Sequence, residues 1–144
     1  MARPFLRAGN MEGMTEKIEQ ALHLAAQTGH VLLATVDANA TPRLTAVEEC
    51  TLAGGDRIAL QAWVEVPLME GPDGVSRIAL LVWDHTGRGY RLTGQLVRQQ
   101  EAAVLDGLAE IEQEVRFPQV ERFLLMQVDA VEDFYFPVPA RSRG

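Results

Sequence analysis

The period of apolar and polar positions changes along the chain, and each change marks an element. Between Thr15 and Thr28, Ile18, Ala21, Leu22 and Ala25 recur at i, i+3, i+4 and i+7, which places them on one face of a helix. Thr15 suits the N-cap, Glu16 falls in the first turn, and Gly29 suits the residue after the last turn. The period then shortens. Val31–Val36 is a β-rich run, Asp37–Ala40 interrupts it, and Thr41–Val47 runs back. Asp and Asn favour such a turn because their short side chains bond nearby backbone and tolerate left-handed geometry. On the returning strand Leu44, Ala46, Glu48 and Cys50 share one face, and Arg43, Thr45, Val47 and Glu49 the other.

Ala53-Gly54-Gly55-Asp56 is a second turn, and Arg57–Val64 a third strand. Glu65–Gly74 breaks the pattern with Pro67, Gly71, Pro72 and Gly74, so it is expected to be a loop. Val75–Asp84 is the fourth strand. It is continuously apolar from Ile78 to Trp83, which predicts burial on both faces. After the turn His85–Gly89, Tyr90–Arg98 alternates cleanly. Gly94 inside that strand predicts a bulge, a sharp bend or a close backbone approach. Val104, Leu108, Ile111 and Val115 predict a second helix over Gln100–Val115. Phe123–Phe136 reads as a long last strand bent near Asp129.

The order is helix, five strands, helix, strand. Short antiparallel strands with tight turns predict a mainly β fold, a closed or partly closed barrel with two flanking helices. Two helices cannot cover both faces of a parallel sheet, which argues against a doubly wound fold. One domain is expected over residues 15–136. Residues 1–14, irregular by their Pro4, Gly9 and Gly13, and residues 137–144 are expected to be flexible tails.

Composition narrows the function classes. The net charge of −7 over 144 residues argues against a nucleic-acid partner, whose phosphates demand a basic face. No apolar run approaches the ~20 residues of a membrane span, and residues 1–14 lack the apolar core of a secretory leader. Cys50 is the only cysteine, which excludes an internal disulfide and a cysteine metal cluster. A cytoplasmic location follows as an expectation. There is no glycine-rich phosphate loop and no G-x-S-x-G nucleophile elbow. His23 and His30 have no third ligand at metal spacing, and Cys50 has no histidine in a dyad context.

Several segments in order carry a family resemblance. They are the helix ending in Gly29-His30, V-L-L-A-T-V-D-A-N-A-T-P-R at 31–43, and G-D-R-I-A-L at 55–60. The apolar strand ending in Trp83-Asp84 follows, then G-Y-R-L-T-G-Q-L-V at 89–97 before an acidic stretch. The chain resembles the FMN-binding split barrels, the pyridoxamine 5′-phosphate oxidase-like superfamily. The resemblance implies a six-stranded antiparallel split β-barrel. It also implies a homodimer with two FMN sites at the subunit interface and oxidoreductase chemistry on an unspecified small molecule. The matching site positions are Arg43, Leu44 and Thr45 on the second strand and Gln61, Ala62, Trp63 and Val64 on the third. Strand backbone would bond the ring, Trp63 would wall it, and Arg43 would meet the phosphate or the ring edge.

One departure qualifies the resemblance. Family members carry a Thr/Ser-x-Lys-type segment after the third strand, whose lysine and hydroxyls clamp the phosphate. Here Glu65-Val66-Pro67-Leu68-Met69-Glu70-Gly71 has neither a basic nor a hydroxyl side chain. Arg77, Arg88 and Arg91 are the candidate substitutes. The alternative is a dimeric split-barrel binding module that has lost FMN or takes another ligand of the superfamily, haem or a deazaflavin.

Overall fold

The computed structural model describes residues 3–65, 67–101 and 119–136. Helix α1 spans Arg3–Thr28. Six strands follow: β1 Val31–Val36, β2 Pro42–Gly54, β3 Arg57–Glu65, β4 Arg77–Trp83, β5 Arg88–Glu101 and β6 Gln119–Tyr135. All neighbours are antiparallel, and the order β1-β2-β3-β6-β5-β4 closes on itself as a barrel. Closure removes the sheet edges that an open sheet would expose.

Side-chain alternation fills the barrel. Val31 and Leu33 from β1, Ile58, Leu60, Ala62 and Val64 from β3, and Ile78, Leu80 and Val82 from β4 point inward and are buried. Leu92, Leu124, Met126 and Val128 complete this interior from β5 and β6. Ile18, Ala21 and Ala25 of α1 join the same cluster, and α1 contacts β2, β4, β5 and β6. Gly29 ends the helix in the left-handed conformation (φ 73°), its N–H bonded to the Ala25 carbonyl at 2.8 Å, as its position predicted.

Four expectations need correction. The helix begins at Arg3, not Thr15. Pro4 lies in its first turn, where the missing N–H has no intrahelical partner to lose. Gly9 and Gly13 cost the helix about 1 kcal/mol each without ending it. Second, β4 is buried on one face only: Ile78, Leu80 and Val82 are buried, whereas Ala79, Leu81 and Trp83 are half-exposed. A continuous apolar run here supplies the core and an outer apolar surface together. Third, one helix is present among the described residues. Of the second helix expected over Gln100–Val115, Gln100 and Glu101 instead end β5, and the remainder lies outside the described residues.

The fourth correction is in β2. Strict alternation puts Val47 and Cys50 on opposite faces, yet both pack against the core. The β2–β3 register runs Val47↔Ala62 and then Glu49↔Gln61, so Glu48 is an inserted residue that resets the period. Gly94 behaves as its sequence context predicted. The register passes from Thr93↔Ala130 to Gly94↔Val128, which makes Asp129 the bulged residue on β6 and accounts for the expected bend there.

A groove on the outer face of the barrel

The turn between β1 and β2 is built around one carboxylate. Asp37 Oδ1 accepts the N–H groups of Asn39 (2.9 Å) and Thr41 (3.0 Å), and Oδ2 accepts Arg43 Nε at 3.1 Å. Arg43 Nη2 lies 3.1 Å from the same Oδ2. The chain turns through Ala40 with φ 64°, a left-handed value for a residue with a Cβ, held by these surrounding bonds. The segment after β3 docks onto this turn. Ala38 N–H bonds the Pro67 carbonyl at 3.0 Å, Met69 N–H bonds the Val36 carbonyl at 2.8 Å, and Leu68 is buried opposite Asp37.

Asp37 is almost fully buried. The Thr41 N–H holds its carboxyl below the usual carboxylate range, helped by Arg43 and Asn39 and opposed by desolvation. Its folded pKa is therefore below the unfolded value of about 3.9. The resulting stability is present above that value and is lost as pH falls through the lowered folded value. Asp37→Asn keeps an oxygen acceptor but cannot ionise. Its melting temperature should fall less steeply than that of the parent below about pH 4, a comparison made by thermal melts in acid.

Where β1, β2 and β4 meet, the outer face carries a groove of about 930 Å³. Its floor follows one row across the barrel, through the pairs Leu44↔Ala34, Ala34↔Ala79 and Ala79↔Thr93. Small side chains along this row leave space that larger ones would fill. Leu44, 68% exposed, stands at one side, and Val36, Arg43, Arg77, Gly94 and Asp129 are among the other lining residues. A volume within roughly 300–1,000 Å³, an apolar floor and a few polar groups is the usual form of a small-molecule site.

Of the residues that the sequence marked, Arg43, Leu44 and Arg77 line this groove. Thr45 is half-buried and pairs with Leu33 across the β1–β2 ladder. Ala62 and Val64 point into the core, and Gln61 is half-buried. Trp63 donates its indole N–H to Glu48 Oε2 at 3.0 Å. Arg88 lies beside α1 in a separate polar recess, its guanidinium 5.4 Å from the Tyr135 ring centre. Arg91 is ion-paired with Glu132. Sequence reading missed Ala34, Ala79, Thr93 and Asp129. The bulge at Asp129 was visible as an expected bend, but the alanines meet only because β1 pairs with β4.

A second concavity of about 720 Å³ continues the outer face past Leu81 and Trp83 to Phe134 and Phe136. The Phe134 and Phe136 rings stack 5.4 Å apart, and His30 stacks on Trp83 at 5.3 Å. Cys50 is mostly buried, and burial, reinforced by the Glu49 charge, pushes its thiol up to about 11, far from a nucleophile at neutral pH. Among the described residues no three His, Cys, Asp or Glu side chains are grouped to hold a metal, and no helix is long and apolar enough to cross a membrane.

Comparison with solved structures places this barrel in a known fold. An FMN-binding protein from Syntrophomonas wolfei subsp. wolfei superposes with a TM-score of 0.52 at 17% identity, covering 92% of this chain and 97% of that one. HupZ of Group A Streptococcus gives a TM-score of 0.52 at 16% identity, over 85% and 98% of the two chains. No family model matches the sequence, and no curated protein matches it significantly. The likeness is one of fold alone: the chain is a closed six-stranded antiparallel barrel with the fold of these two proteins.

Proposed function

We propose that the chain is a small flavoprotein of the split-barrel type, an oxidoreductase that takes the isoalloxazine ring of FMN in the outer groove. The observation that carries this reading is the groove itself, a small-residue floor of Ala34, Ala79 and Thr93 beside the exposed Leu44. A flat apolar trough suits a flat ring. The groove supports the ring's part of this reading, and the Pro67–Gly71 segment gives no support for the phosphate's part. No residue of Pro67–Gly71 lines the groove; Pro67 and Met69 bond the β1–β2 turn, and Gly71 bonds Val75 and Gly74. When bound, flavin would supply the hydride or electron chemistry, and the protein would supply position and exclusion of water.

The test is an absorbance spectrum from about 300 to 550 nm of the purified protein, followed by titration with FMN monitored by flavin fluorescence. A yellow protein, or saturable quenching, is expected. Ala79→Phe places a ring on the groove floor and should weaken binding by tenfold or more, about 1.4 kcal/mol, without lowering the melting temperature. Colourless protein that quenches no flavin would overturn the reading. It would favour the second one, a dimeric split-barrel module for another ligand, which the unmatched phosphate segment supports.

The same proposal includes a homodimer, a cytoplasmic location and no membrane or nucleic-acid partner. Support for the dimer comes from the outer apolar surface of Leu44, Leu81 and Trp83, which continues through both concavities. Such a surface on a small protein usually marks an interface. Light scattering at micromolar concentration should give twice the chain mass, and Leu44→Asp should shift it toward the monomer. A monomer mass for the unaltered protein would refute the dimer.

A further inference from the structure

The charges around the groove say which part of a flavin it recognises. Arg43 and Arg77 are the cationic side chains that line it. Each is already ion-paired with a carboxylate. Arg43 holds Asp37 through Nε and Nη2, both 3.1 Å from Oδ2, and Arg77 Nη2 lies 2.8 Å from Asp73 Oδ2. Asp129, exposed on the β6 bulge, lines the same groove and has no cationic partner among the described residues. Among the described residues each lining guanidinium is thus matched by a carboxylate outside the lining, and Asp129 is the carboxylate within it.

A phosphate monoester carries about −1.5 to −2 charges near neutral pH and is held by cations or by convergent N–H donors. Among the described residues that line the groove, neither is offered in excess. Releasing Arg43 for such a ligand would strip a nearly buried Asp37 of its counter-charge, and an unpaired buried charge is strongly unfavourable. Asp37 also organises the turn through Asn39 and Thr41, so it cannot move aside without cost to that turn. Arg77 and Asp73 are both exposed, and such a pair leaves little net potential at a distance. The apolar floor carries no such penalty for a neutral ring.

We propose that the groove recognises its ligand through an uncharged flat ring system and gains nothing from a terminal phosphate, so that riboflavin is bound as well as FMN. This inference rests on the flavin reading above, and it goes against the phosphate-clamped mode that the fold resemblance implies.

The experiment titrates the full-length protein with riboflavin and with FMN, each by flavin fluorescence at low salt, and compares the two dissociation constants. The riboflavin constant is expected to equal or undercut that for FMN. Asp129→Asn removes an exposed charge and should tighten FMN relative to riboflavin by on the order of fivefold, the size of one exposed ionic interaction. FMN binding more than threefold tighter than riboflavin to the unaltered protein would overturn the proposal. So would Asp129→Asn changing both flavins equally, because charge would then not be discriminating between them. Failure of both flavins to bind would overturn the flavin reading itself.

Discussion

Gly94→Ala is expected to lower the melting temperature by on the order of 10 °C, which corresponds to roughly 3 kcal/mol for a domain of this size. Gly94 faces the bulge in β6. A Cβ there would fall well inside van der Waals contact distance of the Gln127 carbonyl oxygen, 2.9 Å from the Gln127 carbonyl carbon and 3.0 Å from Val128 Cα. All three atoms are backbone, so no rotamer change relieves the clash, and β5 and β6 must separate. The effect is steric. Gly94 is not among the glycines with positive φ. Gly13→Ala is the control. It lies inside α1 with open space at its Cβ, and alanine there should add about 0.5–1 kcal/mol. Differential scanning calorimetry of both variants checks the pair. A Gly94→Ala protein melting within about 2 °C of the parent would show that the β5–β6 approach is looser than described.

Leu33→Ala should cost about 2–5 kcal/mol, read as a shift in the urea midpoint at unchanged slope. Leu33 is fully buried and sits on β1 between its partners Thr45 on β2 and Leu80 on β4. Truncating it leaves a cavity under the strand whose outer side carries Ala34 and Val36, two lining residues of the groove. Ladders on both sides hold β1, so the space cannot collapse easily, and the value should lie toward the upper end of the range. Leu44→Ala, on an exposed neighbour in the β1–β2 ladder, should change stability by less than about 0.5 kcal/mol. The contrast separates leucines that fold the barrel from leucines available to a ligand or a second subunit.

Much of the fold was legible in local pattern. Strand number, the turns at Asp37–Ala40 and Gly54-Gly55, the Gly29 helix end and the Gly94 bulge all follow from short-range chemistry. Legibility failed where a local signal was outweighed. Proline and glycine near the start suggested irregular chain, but Pro4 falls where a helix tolerates it. The apolar run of β4 suggested two buried faces, because a period of two cannot distinguish core from an apolar outer surface. The inserted Glu48 broke the β2 alternation that placed Val47 and Cys50 apart.

The candidate site was less legible than the fold. The family-like pattern drew attention to β2 and β3, and Arg43 and Leu44 do line the groove. Ala62 and Val64 are core residues, and Arg88 lies in another recess. The pairing of Arg43 with Asp37, six residues earlier, was present in D-A-N-A-T-P-R but became visible only as a turn whose carboxylate bonds both backbone and guanidinium.

The amino-acid order alone therefore determined the class of this protein, an antiparallel barrel, and its turns, because alternation and turn chemistry act over a few residues. Only the tertiary structure assembled the groove. Ala34, Ala79, Thr93 and Asp129 come from four strands, and they share one surface because barrel closure pairs β1 with β4. Closure also brought Asp129 of β6 to the surface that carries Arg43 and Arg77, whose own pairs with Asp37 and Asp73 are local in the chain. Such long-range pairing depends on the register of whole strands, which no local window of sequence contains.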